Sequence, residues 1–317
     1  MNSIGGYFEL ELRKGEEFHP NAIALNTGRN ALELILMVKK YKKVYIPFYT
    51  CDVILEPLKK TKNQYEFYNV DKNFEPIFDY NIIKGDEGFL YTNYFGLKDI
   101  FITELAKICK NIIIDNSQAF FSLPVKGVPT FYSCRKFFGV PDGAYLYLDG
   151  VPELDSLLDH SENRFAHLFK RIEYGAEEGY NDFKNNDNSF IGQPIKQMSK
   201  LTKALLCNID YEFVKEKRIA NFLFLHKKLL KYNELEINIC KESVPMVYPF
   251  LINKTGLKQR LIENKIFVAS YWSNVLKWSN KNSIEYKYSS EIIFLPIDQR
   301  YNITGMKRIY KTIQEYV

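Results

Sequence analysis

The chain has 317 residues, 46% hydrophobic and 26% charged, which excludes a disordered or fibrous protein and allows one large domain with a smaller one. Its 43 basic and 38 acidic residues are interspersed, and the cluster Lys39, Lys40, Lys42 and Lys43 reads as a solvated helix end, so nothing marks a nucleic-acid stripe. Five cysteines without a CxxC pair (Cys51, Cys109, Cys134, Cys207 and Cys240) exclude zinc spacing and a disulfide framework, and with no apolar run of membrane-spanning length and no signal-peptide core in residues 1–12, a cytoplasmic protein is expected.

The first 150 residues alternate in type. Residues 30–40 carry Ala31, Leu32, Leu34, Ile35 and Val38 at helical spacing. Val44 to Ile46 is a short apolar strand stopped by Pro47. A helix over 53–60, strands over 65–70 and 88–94, and a helix over 102–109 follow. Ile112, Ile113 and Ile114 form a fully apolar strand ending in Asp115, and residues 144–148 form another strand after Asp142-Gly143. Strands apolar on both faces and alternating with helices imply a mostly parallel sheet between helices, an α/β fold. The polar run 181–188 reads as a loop, residues 199–230 as a long helix, and the rest from about Glu234 as a small α+β domain.

Three segments carry candidate chemistry. Asp115 stands at the C-terminal end of a buried strand, where open α/β sheets bind ligands; it either caps the next helix or pairs with a cationic group on a cofactor. Lys136 lies among aromatics in Phe131-Tyr132-Ser133-Cys134-Arg135-Lys136-Phe137-Phe138, ahead of Pro141-Asp142-Gly143. Burial and the neighbouring Arg135 both favour a neutral amine that condenses with an aldehyde; the alternative is a surface Arg-Lys pair. Asn26-Thr27-Gly28-Arg29 opens a helix, either as a simple cap or as a phosphate site with Arg29 as a fixed cation. His19, His160, His167 and His226 have no partner motif, with the last three expected in helices. Tyr271 and Trp272 read as small-domain core in preference to a substrate contact.

In order and spacing these segments resemble the DegT/DnrJ/StrS family of pyridoxal-5′-phosphate (PLP) aminotransferases. The resemblance rests on Thr27-Gly28-Arg29, Val44-Tyr45-Ile46-Pro47, Tyr91-Thr92-Asn93-Tyr94-Phe95-Gly96, Asp115-Asn116-Ser117-Gln118, Lys136 and Asp142-Gly143-Ala144, then Met198-Ser199 and Leu295-Pro296-Ile297. It implies a fold-type-I PLP transferase, with a large PLP-binding domain over 1–195 and a linking helix and small C-terminal domain over 196–317. Lys136 would hold the cofactor and move protons, Asp115 would pair with its ring nitrogen, and Gln118 would contact the ring or its 3′-oxygen. Thr27, Gly28 and Arg29, with Ser133, would hold the phosphate. The family's ring-facing aromatic falls on Cys51, and Tyr49 stands in for it. The resemblance further implies an amino donor such as glutamate, a keto-sugar or related carbonyl acceptor, nucleotide-sugar or polysaccharide biosynthesis, and a homodimer. Departures centre on the phosphate cup: Arg29 replaces a small Thr, Phe131 replaces a serine, and Ile195 and Gln197 replace an Asn-x-Arg pair. A non-catalytic or altered-chemistry protein keeping the fold is the rival reading.

Overall fold

The computed structural model describes residues 4–151 and 156–316. Its first part follows the order β1 (Ile23–Leu25), α1 (Gly28–Lys39), β2 (Lys43–Pro47), α2 (Leu55–Lys60), β3 (Gln64–Val70), β4 (Pro76–Ile77), β5 (Glu87–Thr92), α3 (Asp99–Ile108), β6 (Ile112–Asn116), β7 (Thr130–Ser133) and β8 (Ala144–Tyr147). Helices α4 (Ala166–Tyr174), α5 (Tyr180–Asn188), α6 (Lys200–Cys207) and α7 (Tyr211–Leu229) follow. The chain ends with β9 (Val247–Phe250), α8 (Leu257–Glu263), α9 (Val275–Trp278), α10 (Ile284–Glu291), β10 (Ile293–Pro296) and α11 (Ile303–Gln314).

Eight strands form one sheet in the order β1-β8-β7-β6-β5-β2-β3-β4. The five central strands β7, β6, β5, β2 and β3 are parallel, while β8, β1 and β4 add antiparallel edges. Period-two alternation then sorts the side chains. Ile46, Leu90, Ile113 and Phe131 pack under α1 with Ala31, Leu32 and Ile35. Tyr45, Tyr91, Ile112, Ile114 and Tyr132 pack on the opposite face with Leu105 of α3 and Leu206 of α6. The antiparallel pair β9–β10 builds a smaller layer whose core joins Phe222 and Leu225 of α7 to Leu257, Leu261, Met306 and Ile309. No helix among the described residues is long and apolar enough to cross a membrane.

Several expectations are corrected. Residues 181–188 are helix α5 and not a loop. Its polar side chains make tertiary bonds: Asn186 donates to the Pro141 carbonyl at 2.8 Å, Asp187 accepts from Arg135, and Asp182 pairs with Lys170. The long helix over 199–230 is two, because Asp210 caps α7 afresh by accepting the Phe213 N–H at 3.0 Å. The strand over 88–94 ends at Thr92, since Phe95 and Gly96 turn into the left-handed region at φ 60° and 72°. At Gly96 a Cβ would lie 3.1 Å from the Val244 carbonyl oxygen, so this turn needs glycine. His160 lies outside any helix, whereas His167 and His226 lie in α4 and α7.

Candidate active site

Strand order reverses at β2: the chain goes outward to β3, then returns to build β5, β6 and β7 on the other side. A crevice at the C-terminal ends of the strands opens at such a point. Because β1 is antiparallel to β8, and β8 to β7, β1 runs with the parallel set. The turn after β1 therefore joins the ends of β2, β5, β6 and β7 on one edge, and this turn is Asn26-Thr27-Gly28.

Asp115 is the fourth residue of β6, in register with Thr92 of β5 and Phe131 of β7. Alternation places it on the α1 face with Ile113. Burial pushes its carboxyl above the usual range; Lys136 and the Ser117 hydroxyl and N–H act in the opposite sense. Asp115 caps no helix. It closes a tight turn instead, its Oδ1 accepting the Ser117 N–H at 2.8 Å. Lys136 ends the short turn Cys134–Lys136 that follows β7, and its Nζ donates to Ser117 Oγ at 2.9 Å. The structure thus brings Lys136 and Asp115 together through a residue that sequence reasoning passed over. The Asp-x-Ser spacing is a turn signal, but its meaning appears only when β7 delivers the lysine.

Thr27 caps α1, its Oγ1 accepting the Asn30 N–H at 3.2 Å, and Gly28 starts the helix against the Phe131 ring. Arg29 lies on the same turn with Nη1 3.6 Å from Glu56 Oε2. That nitrogen, Asn26 Oδ1 and Thr92 Oγ1 are buried without a hydrogen-bond partner among the described residues. Of these three, Arg29 Nη1 and the Thr92 hydroxyl can donate to an anionic group on a ligand, and Asn26 Oδ1 can accept from a donor on it. Ser133 is half-buried and follows Phe131 on this face. Gln118 is buried, its Oε1 accepting the Phe95 N–H at 3.1 Å.

Two expectations change. Tyr49 packs into the aromatic core, 4.7 Å edge-on to Trp272 and 5.7 Å from Tyr94, and not against Lys136. Burying so large a ring needs that aromatic cage, whereas Cys51, two residues on, faces Lys136: burial raises its thiol pKa and the lysine charge opposes this. Arg135 is turned away from Lys136, donating to Asp187 at 2.9 Å and lying 4.9 Å over Phe190. Tyr271 and Trp272 are packed against Phe294 and Tyr49, as core residues.

No family model matches this chain, and no curated protein matches it in sequence. Solved structures do. The ketimine-intermediate complex of S. venezuelae DesV superposes with a TM-score of 0.66 at 15% identity, over 93% of this chain and 84% of that one. A DegT DnrJ EryC1 StrS aminotransferase from Brucella abortus gives 0.62 at 16% identity, over 93% and 85%. The chain has the fold of these aminotransferases. NtdA from Bacillus subtilis, solved with bound cofactor PMP, gives 0.64 at 13% identity over 93% of this chain and 72% of that chain. The architecture is therefore the fold-type-I α/β fold, a mostly parallel sheet between helices with a smaller α+β part.

Proposed function

We propose that this chain is a PLP-dependent aminotransferase that moves an amino group from an amino acid, glutamate in our reading, to a keto-sugar or related carbonyl compound. The observation that carries the reading is a lysine and a buried carboxylate meeting at the strand ends, 21 positions apart in sequence and bridged by Ser117; the lysine itself is exposed, not buried as its aromatic neighbours suggested. Lys136 and Asp115 are the catalytic pair. The amine of Lys136 would hold the cofactor and pass protons at the reacting carbon. Asp115 would keep the cofactor's ring nitrogen protonated. When bound, PLP supplies the electron sink for amino transfer.

The Arg29 Nη1, buried without a hydrogen-bond partner among the described residues, supports a phosphate cup built from Thr27, Gly28, Arg29 and Ser133. Phe131 narrows the cup where it packs on Gly28, so the arginine takes over part of the anion binding. Gln118, with its amide oxygen engaged by Phe95, would face the ring, and Cys51 takes the place given to Tyr49. In this reading residues 1–195 form the PLP-binding large domain and residues 196–317 a linking helix and small C-terminal domain. Surface-polysaccharide or nucleotide-sugar synthesis in the cytoplasm is the setting we infer. A homodimer fits the exposed Phe169, Ile172 and Phe183 of the α4–α5 hairpin.

A visible spectrum of the purified protein tests this reading. The protein should be yellow with PLP, glutamate from an amino-acid panel should bleach it, and Lys136→Ala should lose the lysine-linked band. A Lys136→Ala protein with the wild-type band would remove the assignment, and colour that no amino acid bleaches would favour a binding protein. Sedimentation of the same sample reads the dimer.

A further inference from the structure

The fully buried carboxylate of Asp142 belongs to the turn that enters β8. Its Oδ2 accepts the Ser199 N–H at 2.9 Å, and its Oδ1 accepts the Ser199 hydroxyl at 2.8 Å and the Thr202 hydroxyl. These donors start α6, where a negative charge meets the positive end of the helix. Arg164 places a cation 3.9 Å from Oδ1 and donates to Asp159 at 2.6 Å. The residue after Asp142, Gly143, joins the two turns of the candidate site. Its N–H donates to the Asn26 carbonyl at 2.6 Å, and its carbonyl accepts the Cys134 N–H at 3.0 Å. Asn26 leads into the Thr27-Gly28-Arg29 turn, and Cys134 opens the turn that ends in Lys136. The Asn26 N–H in turn donates to the Lys196 carbonyl at 3.0 Å, just ahead of Ser199. Gly143 sits at φ 114°, and a Cβ there would lie 3.1 Å from Thr202 Cγ2 and 3.2 Å from Cys134 Cβ, so the junction needs glycine.

We propose that Asp142 is a positioning residue: by clamping the start of α6 to the Gly143 junction, it fixes the spacing between the turn at Asn26–Arg29 and the turn that presents Lys136. The inference rests on the reading of these turns as the phosphate and lysine ends of one cofactor site. Lys136 is exposed, with Ser117 as its hydrogen-bond partner, so the backbone of its turn sets where the amine starts. Asp142 acts on that backbone through Gly143, and on Asn26 through Gly143 and the segment that runs from Lys196 into α6. A ligand that reaches both turns at once gains from the second contact only when their spacing is right, whereas a ligand that uses one turn is indifferent to it. Loss of the clamp should therefore show in the linkage between the two ends and not in either end alone.

The test applies three probes to wild type and Asp142→Asn as full chains stripped of PLP: PLP itself, pyridoxal, which lacks the phosphate, and inorganic phosphate. The visible band at equilibrium gives the first two affinities and calorimetry the third. Asparagine keeps the volume, but whichever way its amide turns, one of the donors from α6 faces an NH2 group, so the clamp opens. PLP affinity should fall by about tenfold, the size of one buried bond lost. Pyridoxal and phosphate should each bind within about twofold of wild type, because each uses one turn alone. Thr202→Val removes one hydroxyl donor and should move PLP affinity the same way by a smaller factor; it replaces Asp142→Asn if that variant does not fold. Loss of all three affinities together is what general loosening produces, and it overturns the proposal. A folded Asp142→Asn protein with wild-type PLP affinity does the same. If wild type gives no band with either aldehyde, the cofactor reading fails, and the junction is read from amide exchange alone. Exchange should quicken in Asp142→Asn at residues 26–29 and 134–136 together and not in β5; unchanged exchange at either turn overturns the clamp.

Discussion

Asp115 is costly to the fold, and the cost has a sign that can be measured. Burial raises its carboxyl above the unfolded value, so the folded state holds the proton to higher pH than the unfolded chain does. Stability from the protonated form is complete below the unfolded pKa and is lost as pH rises through the folded one. At neutral pH the ionised carboxylate therefore works against folding. Asp115→Asn keeps the shape and an acceptor for the Ser117 N–H but removes the charge. It should raise the melting temperature of the PLP-free protein at neutral pH, and this gain should vanish in acid. With PLP and an amino acid, turnover should fall by about a hundredfold or more, as when a preorganised electrostatic group is lost. Melting curves at two pH values and a half-reaction assay check both parts; a variant that melts lower at neutral pH contradicts the account. That Lys136 and Asp115 belong side by side was suggested by their order and spacing in the sequence, and the structure brings them together through Ser117, although each alone also fitted a bland role. Ser117 was not legible, because its role depends on a turn that folds it back onto Asp115. Arg135 misled for a similar reason, since adjacency in sequence says nothing of which way a side chain leaves a turn.

At the level of elements, long apolar runs betrayed themselves and short strands did not. The Ile112–Ile114 run and the α1 face were readable because burial on two faces or along one stripe leaves a strong pattern. Strands β1 and β7 have three and four residues, too few for a pattern, and α5 hides its helix in a polar run, of which Asn186 bonds to Pro141 and Asp187 to Arg135. His19, equally silent in sequence, fastens the segment leading into β1. It is buried, its Nε2 lies 2.8 Å from the Phe120 carbonyl, its Nδ1 lies 3.1 Å from the Tyr147 hydroxyl, and its ring contacts Tyr132 and Tyr145. Desolvation in this aromatic nest pushes its pKa down from 6.5 to about 4, against the Phe120 hydrogen bond. The folded protein keeps His19 neutral while the unfolded chain takes up a proton below 6.5. Stability is therefore complete above that pH and falls as the pH drops toward about 4, by about 3 kcal/mol in all. Urea titrations at pH 7 and pH 4.5 should show this loss, and His19→Asn should remove most of the His19-dependent part. Equal pH slopes in the two proteins would contradict it.

Across the whole molecule, one buried cation ties the small layer to the turn that carries Lys136. Arg218 of α7 is 1% exposed and has no carboxylate within ion-pair distance among the described residues. Its donors go to the carbonyls of Met246 at 3.0 Å and Phe137 at 3.4 Å and to Gln299 Oε1 at 3.0 Å, with the guanidinium 4.5 Å over the Phe137 ring. Gln299 in turn donates to the Phe137 carbonyl at 2.8 Å. Two residues from beyond the sheet thus hold the residue next to Lys136, so movement of the small layer is felt at the amine. Burial lowers the guanidinium pKa to about 10, still far above neutral pH, so this link does not open in ordinary buffers. Arg218→Met fills a similar volume and removes the charge but leaves the Met246 carbonyl unpaired, at a cost of about 2 kcal/mol. Local loosening should concentrate at residues 134–138, read as faster amide exchange there than in β5 or β6. PLP affinity should fall by about tenfold, which is about 1.4 kcal/mol of the same disturbance reaching the cofactor site. Gln299→Leu, which removes the other donor to the Phe137 carbonyl, should reproduce the exchange pattern at smaller size. Unchanged exchange at 134–138 in a folded Arg218→Met protein would show that the turn after β7 holds Lys136 unaided.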